Sequence, residues 1–200
     1  MTPATTRSVF VTLAAAAALF VAPARAVSAG PPTEQLRAAV DRVLKIVEDP
    51  AWKPRTEERR AAIRAVAGEI FDFAEITRRT LGPHWASGTP AQREELVQLF
   101  AALLERSYVG KLESYSGERV AWLGDSVDAD LATVRTRIVT KSGTEIPVEY
   151  RMYRRGERWL TYDVTIEGIS LVANYRTQFN KIIQTSSHAG LVEKLRAKAQ

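Results

Sequence analysis

The sequence predicts an α+β domain: amphipathic helices, a meander of antiparallel strands, then helices again. Three observations carry this reading. From Leu96 onward, Leu99, Phe100, Leu103, Leu104, Tyr108, Leu112 and Tyr115 recur at steps of three and four, the spacing of one helix face. After Gly117 the apolar period falls to two, with turn chemistry at Lys141-Ser142-Gly143 and Arg155-Gly156. Beyond Ser170 the helical period returns in Val172, Tyr175, Phe179, Ile182 and Ile183. The expected architecture is a curved sheet of about four strands, with the N- and C-terminal helices packed on one face.

The first residues read as a secretory signal rather than as part of that domain. Arg7 supplies a positive start, Val9 to Ala22 is apolar, and Ala24-Arg25-Ala26 has the small-x-small pattern of a cleavage site. The apolar stretch falls short of the roughly 20 residues a membrane-spanning helix needs. Residues 1–26 are therefore expected to be removed after Ala26, leaving 27–200 as one exported domain.

Val27 to Pro32 is a short tether. In the first helix Leu36, Val40, Val43, Leu44 and Val47 share a face opposite Arg37, Asp41, Arg42 and Lys45, and Asp49-Pro50 and Lys53-Pro54 end it. A more polar helix runs from Thr56 to about Gly68, and Asp72-Phe73-Ala74-Glu75 opens a short third one as a capping box. Thr89-Pro90-Ala91-Gln92 is the clearest helix start: Thr89 caps, Pro90 suits the first turn and Gln92 reaches back. The strands follow over Val120 to Val127, Leu131 to Thr140, Ile146 to Tyr153 and Trp159 to Ile166. In the last of these Leu160, Tyr162, Val164 and Ile166 are expected on one side and Asp163 on the other. Ser170 caps the next helix, and a final one carries Leu191, Val192 and Leu195.

Composition narrows the function classes. The chain has no cysteine, which excludes disulfides, thiolate metal sites and a lipid-modified N-terminal cysteine. Net charge is +5 from 28 basic and 23 acidic residues, interspersed rather than clustered, and no nucleic-acid partner is expected. The two histidines, His84 and His188, stand at helix boundaries and outside any metal-ligand spacing. No nucleophile or phosphate-loop motif appears, so no catalytic residue, cofactor or metal is assigned. Asp163 is the one acid that invites an enzymatic reading, as a general base on a cone-shaped α+β fold; the competing reading is an ion pair with Arg135, Arg137 or Arg151. The abundant amphipathic surface reads first as an ordinary solid core, and periodicity alone does not establish a cavity.

Local motifs point to a family. Phe71-Asp72-Phe73, Leu81-Gly82, Trp85, Thr89-Pro90, Gln92, Leu103-Leu104-Glu105, Tyr108 and Tyr115-Ser116-Gly117-Glu118 resemble those of the MlaC, or toluene-tolerance, proteins. The resemblance continues through Ile146-Pro147-Val148-Glu149-Tyr150, Trp159, Tyr162-Asp163-Val164, Ile166 to Val172, Asn174-Tyr175-Arg176 and Gln178-Phe179. It implies a non-enzymatic periplasmic carrier that holds a phospholipid in an apolar cavity and maintains outer-membrane asymmetry. The implied partners are an inner-membrane ABC transporter complex with its substrate-binding ring and an outer-membrane lipoprotein complex. A related branch of the family is associated with hopanoid transport. On this reading the acyl chains are expected between the sheet residues Val134, Ile138, Val148, Tyr150 and Met152 and the helix residues Phe73, Phe100, Leu104, Val172 and Tyr175. The head group stays at the mouth, where Arg176 is a candidate contact or an ion-pair member.

Overall fold

The computed structural model describes residues 30–113 and 117–199. The expected export segment and Tyr115-Ser116 lie outside these residues, as does the side chain of Leu112. The helices are α1 (Pro31–Glu48), α2 (Thr56–Ile70), α3 (Phe73–Leu81), α4 (His84–Ser87) and α5 (Pro90–Glu113), with a 3-10 turn at Pro50–Trp52. The strands β1 (Arg119–Asp128), β2 (Leu131–Val139), β3 (Glu145–Arg155), β4 (Arg158–Ile166) and β5 (Ile169–Ser170) come next, then α6 (Leu171–Thr185) and α7 (His188–Ala199). All five strands form one antiparallel sheet in chain order, curved and unclosed. β5 is only two residues long and follows a turn in which Glu167 and Gly168 both take positive φ, 50° and 81°. Glycine adopts that backbone freely, whereas Glu167 does so under the constraint of a two-residue hairpin.

Helix starts follow the capping chemistry of the sequence. The Thr89 N–H donates to Gln92 Oε1 at 2.8 Å and the Gln92 N–H donates back to Thr89 Oγ1 at 3.3 Å, a complete box. Asp72 accepts the Glu75 N–H at 2.9 Å and Ser170 accepts the Ala173 N–H at 3.0 Å. The box expected at Asp72 is only half built. Glu75 turns to Arg78 and Arg79 instead, and the Asp72 N–H donates to the Thr161 carbonyl at 3.0 Å, joining the head of α3 to β4.

Two irregularities set the sheet's shape. A register shift between Trp122 and Gly124 interrupts β1, with Gly124 at φ 86°. A second, between Arg151 and Met152, breaks the pairing of β3 with β4. This second bulge corrects the expected alternation along β4. Val164 and Ile166 face inward opposite Tyr150 and Val148, and Thr161 does so opposite Met152. Leu160, opposite Tyr153, and Tyr162 instead join Asp163 on the outer side, the Tyr162 ring lying 6.2 Å from that of Tyr153.

α1 is fastened across the inner face at both ends of the sheet. Thr33 donates its N–H and hydroxyl to Asp125 Oδ2 at 3.0 and 2.8 Å. Gln35 exchanges hydrogen bonds with the Trp159 backbone, 2.9 Å from the Trp159 N–H and 2.6 Å to its carbonyl. Thr33 is fully buried, so these donors have no water to fall back on. Replacing Asp125 with Ala is expected to lower unfolding free energy by about 1–3 kcal/mol, read from urea denaturation. An unchanged midpoint would mean that α1 is held by packing alone.

Candidate functional site: an apolar interior between sheet and helices

The inner face of the sheet is a grid of rows running across the strands. Ala132, Met152 and Thr161 form one row; Asp125, Val134, Tyr150 and Val164 the next. Trp122, Thr136, Val148 and Ile166 follow, and then Val120, Ile138 and Ile146. The outer face of β2 and β3 is charged, with Arg135 paired to Glu149 and Arg137 to Glu145. An apolar inner face opposite a charged outer one demands a cover on the inner side.

That cover is uneven. α1 and α2 cover part of the first two rows with Leu36, Ala39, Val66 and Ile70, leaving Val134 and Met152 at 0% exposure. Farther along, Val148 is buried at 3%, but Val120, Trp122, Ile138, Ile146, Tyr150, Val164 and Ile166 all keep part of their surface open. Tyr150 shows what kind of opening this is. Burial pushes its phenol above the ordinary value, partly offset by a hydrogen bond with Thr136, although the side chain is only half-buried by surface. The ring is thus crowded by protein while part of its surface stays open.

The helices make a separate cluster. Phe100 sits at its centre at 0% exposure, edge-on to Tyr175 and Phe179 with ring centroids 5.0 Å from each. Leu104 and Val172 are buried with it, and Phe73 and Tyr175 pack against it half-buried. Among the described residues, Phe71 alone packs against both this cluster and the one under α1, its ring 6.1 Å from Phe73. The ten expected site residues thus divide. Val134, Tyr150 and Met152 belong to the sheet cluster; Phe73, Phe100, Leu104, Val172 and Tyr175 belong to the helical one; Val148 and Ile138 join neither. Val164, Ile166 and Ile146 share the inner face with Val148 and Tyr150 but were not among the expected ten. The same two-residue alternation marks them in the sequence.

A second apolar space lies within the helical layer. A cavity of about 260 Å³ between α5, α6 and α7 is lined by Leu103, Tyr175, Phe179, Ile182, Leu191 and Leu195, together with Lys194 and Lys198. Of the expected residues only Tyr175 reaches it.

Asp163 is committed to structure. Its Oδ2 accepts the Ser170 hydroxyl at 2.7 Å, its Oδ1 accepts the Val172 N–H at 3.0 Å, and Arg151 stands 3.8 Å away. A carboxylate at 4% exposure that satisfies the first turn of α6 is a helix anchor joining β4 to α6. Asp163→Ala is expected to cost about 2 kcal/mol or more in thermal or urea unfolding, as one carboxylate serves the buried Val172 N–H and the half-buried Ser170 hydroxyl. A variant as stable as the parent would release Asp163 from this role. The histidines stand at the heads of α4 and α7 as expected, His84 Nε2 lying 2.9 Å from Asn180 Oδ1.

An antiparallel sheet and a helical layer that meet without merging into one core define an α+β protein with an apolar interior. The chain belongs to the MlaC family, whose model matches residues 37–197. It is 23% identical over 131 residues to the toluene tolerance protein ttg2D of Pseudomonas putida, a match covering 64% of this chain. The chain spans 60% of that relative's length. Among solved structures it is similar to the phospholipid-binding protein of Ralstonia solanacearum in complex with a phospholipid, with TM-score 0.76 and 26% identity. That likeness covers 83% of this chain and 95% of the other. No described helix is long and apolar enough to cross a membrane.

Proposed function

We propose that the protein is a periplasmic carrier that holds a phospholipid by its acyl chains. The chains lie against the partly open Ile138 and Tyr150 of the sheet and the half-buried Phe73 and Tyr175 of the helices, with Val134, Val148, Met152, Phe100, Leu104 and Val172 packed behind them as the backing of that wall. The observation that carries this reading is the half-covered apolar inner face, on which Val120, Trp122, Ile138, Ile146, Tyr150, Val164 and Ile166 keep open surface. Family membership and the phospholipid bound to the Ralstonia protein support it. The carrier is exported after removal of residues 1–26 and exchanges lipid with an inner-membrane ABC complex, through its substrate-binding ring, and with an outer-membrane lipoprotein complex. In doing so it sustains the asymmetry of the outer membrane.

The energetics suit a carrier. Each methylene withdrawn from water contributes about 0.8 kcal/mol, so two chains of about 30 methylenes contribute on the order of 25 kcal/mol. A bilayer already keeps those chains dry, so the interior need only match the bilayer for exchange to run in either direction. Direction is set by the partners.

Organic extraction of the purified protein followed by mass spectrometry tests the proposal. Phospholipid in near-stoichiometric amount is expected, and its removal should lower the melting temperature, because a ligand bound only by the folded state stabilises it. Hopanoid alone would replace the cargo assignment with that of the related branch. Absence of any lipid, with small-molecule turnover dependent on Asp163, would replace the carrier with an enzyme.

A further inference from the structure

The outer side of β4 carries a constellation that lipid holding does not use. The bulge after Arg151 sets Tyr162 and Asp163 together there. α3 reaches over them through Arg79, whose guanidinium carbon lies 3.9 Å from the centre of the Tyr162 ring. With Arg151, Arg176 and Ser170 these residues surround a pocket of about 130 Å³ beside the start of α6.

The charges around it do not cancel. Glu75 is shared by Arg78 and Arg79, at 2.6 and 2.7 Å. Asp163 is occupied by Ser170 and the Val172 N–H, and Arg151 approaches it only to 3.8 Å. Arg176 donates Nε and Nη2 to the neutral carbonyl of Arg79 at 2.9 and 2.6 Å. Among the described residues Arg176 has no carboxylate at salt-bridge distance. Three guanidinium groups, those of Arg79, Arg151 and Arg176, therefore line the pocket beside the single carboxylate of Asp163. Guanidinium forks suit tetrahedral oxyanions, and the pocket has room for one such group rather than for an extended chain.

We propose that this pocket binds a single phosphate group, held by the guanidinium groups of Arg151 and Arg176. It lies across the sheet from Val164 and Tyr150, so the phosphate it takes is not that of a lipid whose chains lie against those residues. The same chemistry is offered by free phosphate and by a head group displayed on a membrane surface.

The test is titration of the purified protein with inorganic phosphate, followed through the amide resonances of Ser170 to Ala173. Saturable shifts are expected. The double substitution Arg151→Gln with Arg176→Gln should weaken them about tenfold or more, since each guanidinium supplies a charge-assisted hydrogen bond. Arg135→Gln, elsewhere on the outer face, should leave them unchanged. Should the double variant fail to fold, Arg151→Gln alone, whose nearest carboxylate is 3.8 Å away, carries the comparison. Co-sedimentation with phosphatidylcholine vesicles containing phosphatidic acid, competed by phosphate, would identify the head group as the source. Saturable shifts without co-sedimentation would identify free phosphate. Shifts that never saturate, or that are equal in the parent and the arginine variants, would overturn the proposal. Extracted phospholipid serves as an independent readout, expected to be unchanged in the arginine variants.

Discussion

Tyr150→Asp is expected to yield a folded protein carrying less than about one tenth of the parent's phospholipid, because each 1.4 kcal/mol of lost affinity is a factor of ten. A carboxylate at this position has two options, and both defeat binding. Ionised, it must give up water to let acyl chains approach; neutral, it still presents an unpaired polar group to them, at a cost of several kcal/mol. The fold should survive because the Tyr150 side chain is half-buried, so the new group keeps access to water when the interior is empty. Val148, at 3% exposure, is a poorer probe: Asp there would be buried among packed neighbours and would damage the fold along with the site. Lipid per mole of protein by extraction, with circular dichroism to verify folding, decides the matter. A folded variant with normal lipid content would remove Tyr150 from the cavity wall.

Phe100→Ala should produce the largest loss of stability, about 3–5 kcal/mol, as expected for emptying a fully packed aromatic site. Two edge-to-face contacts at 5.0 Å, to Tyr175 and Phe179, disappear with the ring, and these residues hold α6 against α5. For a domain of this size each kcal/mol moves the melting temperature by about 2–4 °C, so a drop of about 10 °C is the expected signature in calorimetry. A shift of a degree or two would place Phe100 in a wall able to collapse onto the missing volume. If acyl chains do contact Phe100, added phospholipid should restore part of the loss.

Much of the fold was legible in the sequence because its signals are local. Thr89 and Gln92 bond each other across the first turn of α5, so the capping box could be read from four consecutive residues. The change of period after Gly117 and the glycines of the hairpins located the strands for the same reason. Bulges are different. The shift at Arg151 and Met152 depends on how two strands meet, and neither strand records it alone; Tyr162 was therefore expected on the wrong side. The site was legible only as a set of apolar faces. Alternation shows that Val134 and Val148 share a side, but not that α1 covers Val134 while Ile138 stays partly open. That difference arises from where Thr33 and Gln35 pin α1 to Asp125 and Trp159, partners about a hundred residues away in the chain.

The irregularity in β1 bears on how copies of the protein behave in one another's company. β1 is the outermost strand, and an outermost strand offers its free backbone donors and acceptors to any similar strand that drifts past. Here the row is broken between Trp122 and Gly124, the strand twists at that point, and Arg119 and Asp128 put charges at its two ends. A neighbouring sheet could match at most a few residues before its register failed. The break in β1 thus opposes pairing at that edge of a sheet that leaves seven of its described inner-face apolar residues partly uncovered.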